Sequence, residues 1–175
     1  IADCSQAIQL DPRDASAFQY RAHAWSEKKE YDKAIADLNE AIRLDPKDTW
    51  SLLCRGRAWN EQKEYDKAIN DFNEAIRLDP KNPVAYQKRG YAWNEKKEYD
   101  KSIADYSEAI CRQNPNEIWG SQLRAYMWHL QKDYEKAIAD CDEAIRIEPE
   151  NALAYFHRGL ACWLGLDLSS VNDLT

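Results

Sequence analysis

Carboxylates recur in pairs along this chain, at Asp37 and Glu40, Asp71 and Glu74, Asp105 and Glu108, and Asp140 and Glu143. Two carboxylates three residues apart share a helix face and could divide general-acid and general-base work between them. Each Asp also follows a lysine by four residues: Lys33, Lys67, Lys101 and Lys136. The pattern is therefore read as solvated i,i+4 ion pairs, worth on the order of a few tenths of a kcal/mol each. His23, His129 and His157 lie too far apart for a local ligand set, and no HxxxH or Cys/His spacing accompanies them, so no metal site is expected. The five cysteines, Cys4, Cys54, Cys111, Cys141 and Cys162, are odd in number and form no CxxC pair. That excludes a zinc ribbon and argues against a disulfide framework, which leaves a reducing compartment such as the cytoplasm as the simpler setting. No Gly-rich phosphate loop, GxSxG elbow or P-loop occurs, so neither a cofactor nor an enzyme activity is expected.

The elements that position these residues follow from composition and period. The chain has 175 residues and a formal net charge of −7, which disfavours a nucleic-acid partner. Its longest apolar stretch, Leu160 to Leu166, is too short to cross a bilayer. The opening at Ile1, without an initiator Met, implies part of a longer protein. Trp25, Trp59, Trp93 and Trp128 recur at intervals of 34, 34 and 35 residues, and Pro12, Pro46, Pro80, Pro115 and Pro149 keep the same step. The step is 34 from Ala75 to Ala109 and 35 from Ala109 to Ala144, so one extra residue lies between Ala109 and Pro115.

Each unit reads as two helices. Ala34, Ile35, Leu38, Ala41 and Ile42 form one apolar stripe on a 3.6-residue period, which returns as Ala68, Ile69, Phe72, Ala75 and Ile76. Asp32, Asp66, Asp100 and Glu135 suit the positive end of the second-helix dipole. Asp-Pro or Glu-Pro closes most of these helices. Asp14, Asp48, Asn82 and Asn151 stand where the next first helix needs an N-cap, and Pro83 follows at a first-turn position.

The unit Tyr86, Arg89-Gly90, Trp93, Tyr99, Ser102, Tyr106 and Ala109 resembles the tetratricopeptide repeat. Ala22, Gly56, Gly90, Ala125 and Gly159 fill its small slot on the first helix, while Lys29, Lys63, Lys97 and Lys132 replace the glycine frequent at its inter-helix turn. The resemblance implies an all-α fold, a right-handed α-solenoid of antiparallel helix pairs. Its divisions are a truncated second helix over 1–14, full units over 15–48, 49–82, 83–117 (with the insertion) and 118–151, and a first helix plus tail over 152–175.

The resemblance also implies that first helices line a concave face that takes up a partner peptide or helix. Its groove residues are then Gln19, Tyr20 and His23; Trp50, Leu53 and Arg57; Gln87, Lys88, Tyr91 and Asn94; and Trp119, Gln122, Tyr126 and His129. Rings with amides and a few cations are the composition of binding hot spots. Arg57 and Lys88 are expected to select carboxylates, and Cys54 is a candidate for the same face. The carboxylate clamp of chaperone-binding relatives is not reproduced at Gln19, His23, Cys54, Val84 and Lys88, nor one repeat later. Cys141 and Cys162 fall on stripe positions and are expected to be buried thiols. Leu153, Phe156, Leu160, Trp163 and Leu164 make the last first helix apolar nearly all round, a possible docking patch for a neighbour or a second copy. A protein-interaction module is the expected function. The alternatives are a homo-oligomeric scaffold using its ends and a regulatory arm of an enzyme.

Overall fold

The computed structural model describes residues 1–112 and 119–172, with side chains for all of these except 111, 119–123 and 166–172. Ten helices and no strand occur among the described residues. They are α1 (Ala2–Leu10), α2 (Ala15–Glu27), α3 (Tyr31–Leu44), α4 (Thr49–Glu61), α5 (Tyr65–Leu78), α6 (Pro83–Glu95), α7 (Tyr99–Arg112), α8 (Trp119–Leu130), α9 (Tyr134–Ile147) and α10 (Ala152–Asn172). The chain divides into two compact units, residues 1–96 and 97–175. In the first, α1 to α6 each pack on the next, and α2, α4 and α6 also touch in series. In the second, α7 to α10 pack in order and α8 meets α10. The fold class is an all-α solenoid of helix pairs.

Local chemistry sets each helix end. Asp14, Asp48 and Asn82 accept backbone N–H bonds at 2.9 to 3.2 Å from Ser16, from Trp50 and Ser51, and from Val84. Asn151 accepts from Ala154 at 3.0 Å. Inside each pair the turn keeps its shape without glycine: Lys29, Lys63, Lys97 and Lys132 take φ of 59 to 62°. Beside three of them the Trp25, Trp59 and Trp128 carbonyls accept from the N–H five residues on, at 2.9 Å, as in a Schellman closure.

The second-helix stripe is the core. Leu38 and Phe72 are fully buried, worth roughly 2–3 kcal/mol each. Gly56 makes that burial possible, because a Cβ there would stand 2.5 Å from Cε1 of Phe72. The four second helices α3, α5, α7 and α9 are all 14 residues long. α7 runs through Ile110 to Arg112, and Gln113 and Asn114 of the predicted insertion segment lie outside the described residues.

Three expectations are corrected here. Asp37, Asp71, Asp105 and Asp140 are buried rather than solvated. Three of them bind an arginine of the preceding first helix: Arg21 to Asp37, Arg55 to Asp71 and Arg124 to Asp140, each through Nε and Nη2 at 2.5 to 2.9 Å. The lysines four residues earlier lie on another face. Lys33, Lys67 and Lys136 sit 4.5 to 4.6 Å from the centres of the Trp25, Trp59 and Trp128 rings. Second, α10 does not end near Leu164 but continues to Asn172, since Gly165 is not left-handed and no proline follows. Third, Cys162 is exposed, whereas Cys141 is buried as expected.

Candidate functional site

Within the first unit, α2, α4 and α6 place side chains of one register side by side. His23, Arg57 and Tyr91 occupy equivalent positions one repeat apart; His23 is exposed, Arg57 half-buried and Tyr91 45% exposed. Trp50, two turns nearer the start of α4, is 42% exposed. These rings contrast with Trp25 and Trp59, which are half-buried under lysines. Lys88, Gln87 and Asn94 on α6 are half-buried.

Leu53 is held by structure instead: it packs against the cluster of Leu52, Ala75 and Ala85. Gln19 is likewise engaged, donating from Nε2 to Asp48 Oδ2 at 2.6 Å and to Ser51 Oγ at 3.2 Å. Cys54 does not open onto this face. It lies against Ala22, Ala34 and Leu38, and burial pushes its thiol up to about 11. Tyr20 occupies the position equivalent to Cys54 yet is 68% exposed. It belongs to the end of the unit beside α1, where no described first helix precedes it to bury the ring.

The charge around Arg57 is mostly negative. A cleft of about 200 Å³ is lined by Ser26, Glu27, Tyr31, Arg57 and Glu61. Tyr31 Oη donates to Glu61 at 3.3 Å, and Tyr65 repeats the bond to Glu95 at 3.2 Å. The Tyr31 hydroxyl is raised by desolvation and then by Glu61, and Tyr91 is raised by desolvation and then by Glu95 and Glu61. Glu27, Glu61 and Glu95 thus form a ladder at one register position on the three first helices.

One residue of this face is invisible to motif reasoning. Asn60 on α4, equivalent to Asn94 on α6, is only 7% exposed, and its Oδ1 accepts no hydrogen bond. A buried acceptor without a donor costs about 1–3 kcal/mol. The recurrence of an amide at 60 and 94 was the available signal.

The second unit presents its own ring-rich face on α8 and α10. Tyr126 is 39% exposed and stands 6.2 Å from the His157 ring; His129 lies edge-on to Tyr134 at 5.7 Å. The His157 imidazole is lowered from its usual value by burial and then by His129. Leu153, Phe156 and Trp163 are 51, 63 and 64% exposed, and Leu160 and Leu164 are half-buried. The Trp119, Gln122 and Cys111 side chains lie outside the described residues. No group of metal-ligating residues, and no helix long and apolar enough to cross a membrane, occurs among the described residues.

The helix pairs stacked within each unit define a repeat architecture. Family models place it further: "TPR repeat" matches residues 56–94 and 126–165, and "Tetratricopeptide repeat" matches 15–48. Together these cover well over half of the sequence, and the chain belongs to the tetratricopeptide-repeat family. Its coarse role follows: a protein–protein interaction scaffold, in a family that binds protein partners and is generally non-enzymatic. No curated protein matches significantly.

Solved structures share the fold. A crystal structure of MamA protein is 23% identical, with a TM-score of 0.79, covering 90% of this chain and 86% of that one. MamA 41-end from Desulfovibrio magneticus RS-1 is 17% identical, with a TM-score of 0.78 and coverages of 85% and 84%. A tetratricopeptide repeat protein from Parabacteroides merdae is 18% identical, at 0.79, covering 86% of this chain and 59% of that one.

Proposed function

We propose that the first-helix face of the first unit binds an extended segment or helix of a protein partner. Trp50 and Tyr91 act as its anchors, with His23, Arg57 and Asn94 around them. The observation that carries this reading is the exposure of the Trp50 and Tyr91 rings, 42 and 45%, on neighbouring first helices. Burying these two rings supplies the apolar part of the affinity.

Charge narrows the partner's chemistry. Arg57 shares its cleft with Glu27 and Glu61, so its charge is more than offset there, and Lys88 remains as the half-buried cation. A partner with aromatic or aliphatic anchors and at least one basic side chain suits this ladder better than an acidic tail. Tyr126 and His129 form a similar surface in the second unit and are proposed as contacts of that unit's own face.

Selection from a random peptide library tests the reading, run beside Trp50→Ala/Tyr91→Ala. The expected result is a motif containing Lys or Arg, enriched by the parent and bound at least about tenfold more weakly by the variant. Equal enrichment by both proteins removes the assignment of the face to Trp50 and Tyr91.

A further inference from the structure

Two exposed rings on neighbouring first helices fix a distance, and that distance restricts what can bridge them. Trp50 lies in the first turn of α4, and its register mate on α6 is Val84. Tyr91 lies further along α6, in the register of Arg57. The two rings are therefore offset by seven residues along the helix direction, about 10 Å at a rise of about 1.5 Å per residue. α4 and α6 touch, which sets their axes about 8–10 Å apart. The two steps together put the rings' attachment points about 13–15 Å apart, on a diagonal across the face.

An extended chain covers that span in four residues. At about 3.3 Å per residue four residues reach about 13 Å, and the even spacing returns both side chains to one face of the strand. A helix fits poorly. It needs about nine residues for the same distance, which is about two and a half turns and points the second side chain away from the groove. The helical spacings that keep two side chains on one face, seven and eleven residues, fall about 3 Å short or long.

The ground between the anchors favours the same form. An extended chain, unlike a helix, arrives with backbone N–H and C=O groups unpaired. Halfway along the diagonal α6 presents Gln87 and Lys88, both half-buried and in no hydrogen bond or ion pair among the described residues. Gln19, the register mate of Gln87, shows the same amide engaged by the fold: its Nε2 donates to Asp48 and Ser51 at the start of α4. Leu53 of α4, packed down on Leu52, Ala75 and Ala85, completes the floor between the rings.

We infer that the occupant of this face is an extended segment with apolar side chains at i and i+4, one packed on Trp50 and the other on Tyr91, its intervening backbone bonded by Gln87 and Lys88. This rests on the partner face proposed above and narrows it to one form and one spacing. The Gln87 carboxamide can donate to a carbonyl and accept from an N–H of the residues between the anchors, and the Lys88 ammonium donates to a neighbouring carbonyl.

Synthetic peptides test it by fluorescence anisotropy against the whole chain. The probes are soluble Ser/Thr/Lys peptides with paired Phe residues at i,i+3, i,i+4 or i,i+5, and a helix-locked peptide with Phe at i,i+7. The i,i+4 peptide is expected to bind at least about tenfold more tightly than each of the others. N-methylating its backbone between the anchors is expected to weaken binding to the parent about threefold or more, with no further loss on Gln87→Ala, because the same bond is removed in both. Equal affinity at all extended spacings, or preference for the helix-locked peptide, overturns the inference; if Trp50→Ala/Tyr91→Ala still abolishes that binding, the partner face itself stands. N-methylation that harms the parent and Gln87→Ala alike also overturns it. If no peptide binds, or the double variant binds as well as the parent, the face and this inference fall together.

Discussion

Replacing Arg55 by Met should expose how much the buried pairs of this array depend on both partners. Arg55 grips Asp71 through Nε at 2.9 Å and Nη2 at 2.6 Å, with side-chain exposures of 22% and 8%. Removing one partner of a fully buried pair costs about 3–5 kcal/mol, because the remaining charge stays desolvated. Arg55 is about a fifth exposed, so water partly replaces it, and a loss of about 3 kcal/mol is expected. Arg55→Met/Asp71→Leu removes both charges and should fall within about 1 kcal/mol of the parent. In urea, with a slope of about 2 kcal/mol per M, the single variant shifts the midpoint by about 1.5 M and the double by about 0.5 M or less. The acid limb adds a second check. The Asp71 carboxyl is raised above its usual value by burial, with Arg55 pulling it down. A folded-state value above the unfolded one favours folding at low pH, and that contribution is lost as pH rises through the folded value. The deficit of Arg55→Met should therefore shrink between about pH 7 and about pH 4. A double variant as unstable as the single, or a deficit that does not change with pH, would refute the reasoning.

Other consequences follow from the same geometry. Lys63→Gly, at φ 62°, should raise stability by up to about 1 kcal/mol, read as a higher Tm; a lower Tm would show that the lysine side chain holds the turn. Gly56→Ala should destabilise by about 1–3 kcal/mol, since its Cβ would stand 2.5 Å from Phe72 Cε1, and Phe72→Leu should recover part of that loss in the same urea titration. Cys162 should react with a thiol reagent well before Cys54 and Cys141, whose thiols burial pushes up to about 11; mapping the modified peptides over time checks the order.

The helix pairs were legible because each repeat states its own boundaries. Asp48 and Asn82 cap as their types require, and Pro83 opens α6 where its missing N–H costs nothing. The buried ion pairs are hidden from the i,i+4 pattern of a single helix, because the partner lies sixteen residues away on the other helix. The signal was present: Arg21, Arg55, Arg89, Arg124 and Arg158 keep the same period as the aspartates. Tyr20 was assigned to the groove because its neighbours Gln19 and His23 share its helix. Only the burial of Cys54 in the same register shows that this position faces the preceding repeat. Asn60 had no distinguishing sequence context beyond its mate Asn94, since an unsatisfied acceptor is a property of packing.

Internal repetition offers a way to separate scaffold from surface without any relative. Where packing makes the same demand in every repeat, the same residue returns: arginine with a buried aspartate, tryptophan under lysine, tyrosine bonded to glutamate in the first two pairs. The register holding His23, Arg57, Tyr91 and Tyr126 carries three residue types in four repeats, so no common packing demand acts there. Variation alone is not enough, because Leu53 stands in the register of Gln19 and Gln87, yet Gln19 and Leu53 are both engaged between repeats. The stronger criterion joins variation to exposure, and Tyr91 and Tyr126 meet both conditions, at 45 and 39%. An aromatic ring left in water where the fold does not require it is best accounted for by what it touches in a complex.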